Sequence, residues 1–536
     1  MTPLAAPLTD RGGNILRPPE PPSGEGPPGP KDGFGGRSDP RSGESPGAAV
    51  SEIPLLSWKI YGCMLFLAIV AFFDVGVPRV VMGLLSLVLF IPLISASLRS
   101  SLPILVALVV YIPYSKAVSG NIGGVVSGLN FTTVLMVIAM ISAQAVSRAG
   151  SLASGNGVFA PKPALAPYEG EFRRLLIVFC ILGALSVLHT DLVFADWTFF
   201  TALVDYKRWI DPFLIFFMVS YLVKTEREAR VLMTVMAVNL AVIGLGSIWQ
   251  HHVISGYSHR VRLKGIADQA NTMGAFYANY FFILLGFFLM KAARLRFGLL
   301  LPVGLWGLFL GLLATESRGD ALALVAGVLV FFFLHNRGLF LVMAGLLIFF
   351  AVNIQFLPEG LRARIQHTVV HHSALEISDA PTLDLSARTR LALWAGAFRM
   401  MEEHPMIGVG YKLFPERIYS YVPHNAETNQ LPLRGRDAHN AYFLIGAEMG
   451  VPTLLVFLAL LASMLRVTLR SYKDSVDPFW RTVSLASFCS VLSLGMTNMF
   501  GSRAISLILA GYLWAIIAIL LKVPAWQRSM ERSASP

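Results

Sequence analysis

The chain has 536 residues, 55% of them apolar and 14% charged, with a net charge of +11 and a mean hydropathy of +0.63. A soluble domain carries about 25% charged residues, so these figures exclude an ordinary soluble enzyme, a disordered chain and a collagen-like chain. They leave a protein with many membrane spans. The three cysteines, Cys63, Cys180 and Cys489, all lie in apolar runs, which excludes a disulfide framework.

Residues 1–50 hold 11 of the 31 prolines and 10 of the 46 glycines, and their net charge is −1. Such a stretch cannot build a core and reads as disordered. No apolar run follows the initiator as a secretory signal would require. A disordered cytoplasmic tail over 1–56 is the expectation, in preference to a Pro-rich docking motif. The basic excess therefore belongs to the rest of the chain.

From residue 57 apolar runs recur, each near the ~20 residues needed to cross the hydrocarbon. They fall at 57–75, 80–97, 101–117, 131–147, 173–190, 210–224, 229–250, 272–291, 296–315, 319–335, 338–357, 440–467, 481–499 and 503–522. The fold class is all-α, a polytopic bundle of about 12–14 spans, because lipid offers no partner to exposed backbone groups. N-terminal helices are expected over 57–228 and a catalytic membrane part over 229–522. One long loop, 358–439, interrupts it, and a C-terminal tail fills 523–536.

Orientation follows from loop Lys and Arg. With the N-terminus inside, and with the tail and the long loop set aside, 19 basic residues fall inside and nine outside. Both termini are then cytoplasmic. The basic excess is explained by topology and anionic lipid rather than nucleic acid. This choice puts four features on the outer face: the stretch 260–271, the corner 317–320, the long loop and the short turn at Arg503.

Chemistry is sought there. Arg262-Leu-Lys264-Gly265 precedes Asn271, and Arg260 stands just before it. An arginine at the membrane edge offers a planar fork of donors to phosphate, or else merely snorkels. Gly265 allows a bend. Glu316-Ser317-Arg318-Gly319-Asp320 sits between two apolar runs, where charge is costly and marks a functional candidate. The plainer reading is that Arg318 pairs with Glu316 or Asp320.

In the long loop Ser386 caps a helix, with Leu391, Trp394, Ala395, Phe398 and Met401 or Glu402 at helical spacing and Arg390 one turn before Trp394. The helix should end before His404-Pro405, and Gly408-Val-Gly410 should turn. This reads as an amphipathic helix lying on the outer membrane surface or capping a cavity.

Asp437-Ala-His439-Asn440 then leads into a span containing Glu448-Met-Gly450. A neutral histidine suits proton abstraction near pH 7, and nearby arginines would keep it neutral. A structural His-Asn pair is the bland alternative. His367, His371 and His372 have helical metal spacing but stand among arginines, so no metal site is expected. No phosphate-binding loop or Gly-x-Ser-x-Gly elbow is present, and ATP hydrolysis and esterase chemistry lack support.

Together these pieces resemble the O-antigen ligase and polymerase superfamily of bacterial envelope enzymes. The matching residues are Arg262, Gly265 and Asn271; Ser317, Arg318 and Gly319; Arg390, Trp394, Pro405 and Gly408–Gly410; and His439, Asn440, Glu448 and Gly450. Order and spacing agree over roughly 230–470. Thr453 departs from the pattern, where the family often has a second glycine, and the Pro-rich tail is no family feature.

The resemblance implies a glycan donor on an undecaprenyl diphosphate carrier at the outer face of the bacterial inner membrane, and a glycan, lipid or protein acceptor. Arg262 and Arg390 would bind the diphosphate, with Arg318, Arg260 and Lys264 in support and Trp394, Asn440 and Asn271 in the substrate site. His439 would be the base, oriented by Asp437 or Glu448. No cofactor is implied, since the arginines would stand in for a metal ion. Other polysaccharide export components are plausible partners. A flippase of lipid-linked glycan is the alternative, although no internal repeat of the transporter kind is visible. Between polymerase and ligase the balance leans to polymerase, because nothing marks a dedicated acceptor site.

Overall fold

A computed structural model describes residues 54, 56–72, 100–115, 138, 141, 168–193, 199–257, 262–267, 269–356, 362, 369–370, 382–383, 385–423, 428–503 and 506–534. The tail, the spans at 80–97 and most of 131–147, Arg260 and the His367–His372 cluster lie outside them. The architecture is all-α; among the described residues only a two-residue antiparallel pair, Val369–Val370 against Thr382–Leu383, stands beside the helices.

In chain order the helices are α1 (Trp58–Phe72), α2 (Leu102–Tyr111), α3 (Glu169–Val193), α4 (Phe199–Leu222), α5 (Glu226–Tyr257), α6 (Ala270–Leu289), α7 (Lys291–Phe297) and α8 (Leu300–Thr315). They continue with α9 (Arg318–His335), α10 (Arg337–Val352), α11 (Leu385–Glu403), α12 (Phe414–Tyr421), α13 (Ala441–Asp474), α14 (Pro478–Thr497), α15 (Leu507–Leu520) and α16 (Val523–Ala534). Among the described residues seven helical segments are long and apolar enough to cross a membrane, or eight if the bent pair α7–α8 counts as one.

Two spans differ from expectation for visible reasons. The helix expected at 210–224 begins eleven residues earlier, at Phe199. Its first half carries Asp205, Lys207, Arg208 and Asp211, which lower the hydropathy. Those charges pair within the helix, Lys207 with Asp211 at 2.7 Å and Arg208 with Asp205 at 3.4 Å. The span expected at 296–315 begins only at Leu300, because the chain turns by 96° at Gly298, whose φ is 53°.

The central bundle is set by close approach. Helices α5 and α8 cross where Gly244, Gly304 and Gly307 meet: a Cβ on Gly307 would lie 2.0 Å from the Gly244 carbonyl oxygen. Small residues at a crossing let backbones touch, which is how helices gain packing energy in lipid. Helix α14 packs against α6, α9 and α13, and its buried face carries Ser484, Ser487, Ser490, Ser493 and Thr497.

The described second half of the long loop, 385–423 and 428–439, is folded. Leu393, Ala397 and Met400 of α11 form a separate small core with Val409, Leu413, Phe414, Ile418 and Val422 and with Ala447 of α13. The expected helix is present and ends at Glu403, before His404-Pro405. Its buried stripe is rotated from the expected one: Thr389, Leu393, Gly396, Ala397 and Met400 face inward, whereas Leu391 and Phe398 are 50% and 54% exposed. The rotation follows from α12, an unexpected helix, which packs against Gly396; a Cβ there would lie 2.5 Å from Ile418 Cδ1.

Candidate functional site

Four chain segments meet at one end of the bundle. The stretch before α6 is tied to the end of α8: the Leu263 amide donates to the Ala314 carbonyl at 3.0 Å, and Arg262 Nε donates to the Thr315 carbonyl at 2.7 Å. Arg262 Nη2 also donates to Asn271 Oδ1 at 2.5 Å. Gly265 takes φ 57°, the bend expected of it, and Lys264 is exposed. Asn271 thus orients Arg262.

The corner between α8 and α9 follows. Glu316 adopts φ 51° and ends α8, and Ser317 opens α9. The Ser317 hydroxyl donates to Asp320 Oδ2 at 2.6 Å. The other oxygen of Asp320 accepts from Arg503, so this carboxylate is bound by a distant arginine. Arg318 is half-buried at the first turn of α9.

Arg390, on α11, is half-buried and within electrostatic reach of both Asp320 and His439. Trp394, one turn on, is half-buried. Its indole N–H donates to the Ala438 carbonyl at 3.0 Å and its ring stacks on Phe443 with centroids 5.8 Å apart. It therefore holds the residue preceding His439.

His439 sits in a left-handed conformation, φ 47°, which a side-chain-bearing residue holds only when its surroundings impose it. Asp437 imposes it: Oδ1 accepts the His439 backbone N–H at 2.9 Å and faces Nδ1 at 3.1 Å. With Nδ1–H donated to the carboxylate, Nε2 keeps its lone pair for a proton. The imidazole side chain is 38% exposed, open enough for a hydroxyl to reach. Burial pushes its pKa below 6.5; Asp437 opposes that, and Arg390, Arg436 and Arg503 reinforce it. The net result is a neutral ring at neutral pH. Asn440 caps α13, its Oδ1 accepting from the Tyr442 and Phe443 amides at 2.9 and 3.2 Å.

Glu448 makes its hydrogen bond to a different segment. Its carboxylate is buried and accepts the Phe414 backbone N–H at 3.3 Å, which fastens the Gly408–Phe414 loop. Of the two candidates for orienting His439, the geometry places Asp437 there and Glu448 elsewhere. Around Glu448 helix α13 is broken at Gly450, φ 84°, and Pro452. Three backbone groups at the break find partners elsewhere in the chain. The Glu448 carbonyl, robbed of its amide by Pro452, accepts the Ser186 hydroxyl at 2.7 Å. The Ala447 carbonyl accepts the Val409 amide and the Val451 amide donates to the Pro405 carbonyl, both at 2.8 Å. A Cβ on Gly450 would lie 2.2 Å from the Met406 carbonyl oxygen. Thr453, the departure from the resemblance, is buried and spends its hydroxyl on the Met449 carbonyl at 2.7 Å.

The structure thus joins the Arg262, Arg318, Arg390 and His439 segments at one end of the bundle. Arg503 and Arg436 were not read from the sequence as members of this site. Their only signals were a lone charge in a short turn between apolar runs and a charge three residues before the histidine. Residues 303–458, from α8 into α13 and including Arg318, Arg390 and His439, match the family model described as O-antigen ligase. No curated protein matches the chain. Through that segment, on a bundle whose helices are long and apolar enough to cross a membrane, the chain is similar to the O-antigen ligase family.

Proposed function

We propose that the protein moves a glycan from undecaprenyl diphosphate to an acceptor hydroxyl at the periplasmic face of the inner membrane. The observation that carries this reading is His439, locked by Asp437 and neutral at neutral pH, standing with Arg390 in the segment that matches the O-antigen ligase family.

Nε2 of His439 takes the proton of the acceptor hydroxyl as its oxygen attacks the anomeric carbon. The bond from that carbon to the diphosphate oxygen breaks, and the electron pair leaves with the carrier. Arg262, Arg318 and Arg390 bind the diphosphate and stabilise the charge growing on it; fixed cations are strongest in a water-poor site. Arg262 is suited to this because Asn271 and the Thr315 carbonyl fix its fork. Positive charge from arginines does here what a metal ion does elsewhere, and the energy resides in the donor, so neither metal nor ATP is needed. Polymerisation, one lipid-linked repeat joined to another, is favoured over ligation, since no sequence motif marks a dedicated acceptor site.

The test is the length of undecaprenyl-diphosphate-linked glycan in a deletion strain, compared with strains restored by wild type or by His439→Ala. Single repeats accumulating, with His439→Ala like the deletion, support a polymerase. Long polymer stranded on the carrier turns the reading to ligase. Repeats trapped on the cytoplasmic leaflet overturn it in favour of a flippase.

A further inference from the structure

Between α14 and α15, in the segment that follows Asn498, Arg503 is buried, 6% exposed, against a fully buried Asp320. Its guanidinium donates to Asp320, whose other oxygen accepts the Ser317 hydroxyl. It lies over Gly501, where a Cβ would be 2.5 Å from Arg503 Nε. The Arg503 backbone N–H donates to Asn498 Oδ1 at 3.2 Å, and the Asn498 carbonyl accepts the Ala441 amide at 2.8 Å. One arginine is therefore bonded at its tip to the corner that carries Arg318. At its backbone it is bonded to the turn that holds the chain two residues past His439.

A buried ion pair is a poor device for stability alone, because apolar residues of similar volume often serve as well. A use beyond packing is called for. We propose that Arg503 is a positioning residue for the transfer reaction. Paired with Asp320, it holds the Ser317–Arg318 corner and the His439 turn in one register and keeps a positive charge beside the imidazole. The proposal rests on His439 acting as the base.

The largest charge effects on His439 come from Asp437 and Arg436 on its own segment, Arg390 on α11 and Arg503. Asp437 favours protonation and the three arginines oppose it. Loss of the Arg503 charge therefore moves protonation of His439 to higher pH. A role confined to packing would leave that midpoint where it is.

The experiment uses the full-length protein in lipid nanodiscs. Carbethoxylation of His439 by diethyl pyrocarbonate, followed by peptide mass spectrometry from about pH 5 to 8, reads the protonation of this histidine without requiring turnover. Initial rates of glycan transfer over the same range give the acid limb of activity. The variants are Arg503→Met, Arg503→Lys and the double Arg503→Met with Asp320→Leu, which leaves no unpaired buried carboxylate. In Arg503→Met and in the double variant the reactivity midpoint and the acid limb are expected to move together to higher pH. The expected kcat falls on the order of 10-fold while KM for the donor stays near wild type. Arg503→Lys restores the midpoint without restoring the full rate. A midpoint unmoved in both charge-removing variants overturns the proposal, whatever the rate does; if Arg503→Met does not fold, the double variant decides. A moved midpoint in a protein whose wild type transfers no glycan upholds the link from Arg503 to His439 and overturns the transferase reading.

Discussion

At the scale of single residues, the site is a histidine whose neighbours disagree about its charge. Burial and three arginines hold its pKa below 6.5, and Asp437 opposes them. A base must be neutral to accept a proton, so transfer activity is expected to be full above about pH 6.5 and to fall as pH drops through the lowered folded pKa. Stability follows the same sign: the unfolded chain binds the proton more readily, so this contribution is present above the unfolded pKa and lost as pH falls. Asp437→Asn is expected to move the acid limb of transfer to lower pH, because it removes the one group favouring the imidazolium. It also lowers kcat, because the ring loses the acceptor that orients Nδ1–H. A pH–rate profile of this variant checks both effects; an acid limb moving upward would contradict the arrangement.

At the scale of elements, the break in α13 matters more than the helix. Gly450 and Pro452 open the helix so that the loop from Pro405 to Phe414 docks into it, and the Ala447 and Glu448 carbonyls and the Val451 amide find partners outside the helix. Gly450→Ala forces a side chain into a backbone region used almost only by glycine, a cost of about 1–3 kcal/mol before the clash with the Met406 carbonyl is counted. Ser186→Ala leaves the Glu448 carbonyl buried without its hydroxyl and is expected to cost about 1–3 kcal/mol. Thermal unfolding in detergent measures both. Glu448→Gln, by contrast, keeps an oxygen for the Phe414 amide and is expected to retain most activity and stability, whereas Glu448→Ala loses both. Had Glu448 oriented the base through its charge, the glutamine variant would be as inactive as the alanine one.

At the scale of the whole molecule, the folded loop caps one end of the bundle, and the proposed chemistry requires that end to face the periplasm. Single cysteines at Glu402 and Glu416, both exposed on the cap, and at exposed Arg528 on α16 test this in a background where Cys63, Cys180 and Cys489 are replaced by alanine. A membrane-impermeant maleimide is expected to label the first two in spheroplasts, and Arg528→Cys only after lysis. The opposite pattern would put the site on the cytoplasmic face and remove access to a donor presented outside.

The sequence by itself determined the all-α membrane class, because long apolar runs have no other way to satisfy their backbone in lipid. It also determined the helix that ends at Glu403, through the apolar spacing from Leu391 to Met401 and the His404-Pro405 stop, and it singled out the arginines and the histidine on which the proposed chemistry rests. Those signals are local, and local signals survive in one dimension. It did not show the face that α11 buries in the protein or the contacts of Trp394 and Glu448, because each depends on a partner far away in the chain, and it missed the early start of α4 because charges that lower the hydropathy pair within one turn of the helix. Gly396 meets Ile418, charges in α4 cancel within the helix, Trp394 reaches Ala438 and Glu448 reaches Phe414. Only the tertiary structure could give Asp320 to Arg503, 183 residues away. An ion pair is specified by distance in space, and no spacing along the chain records it.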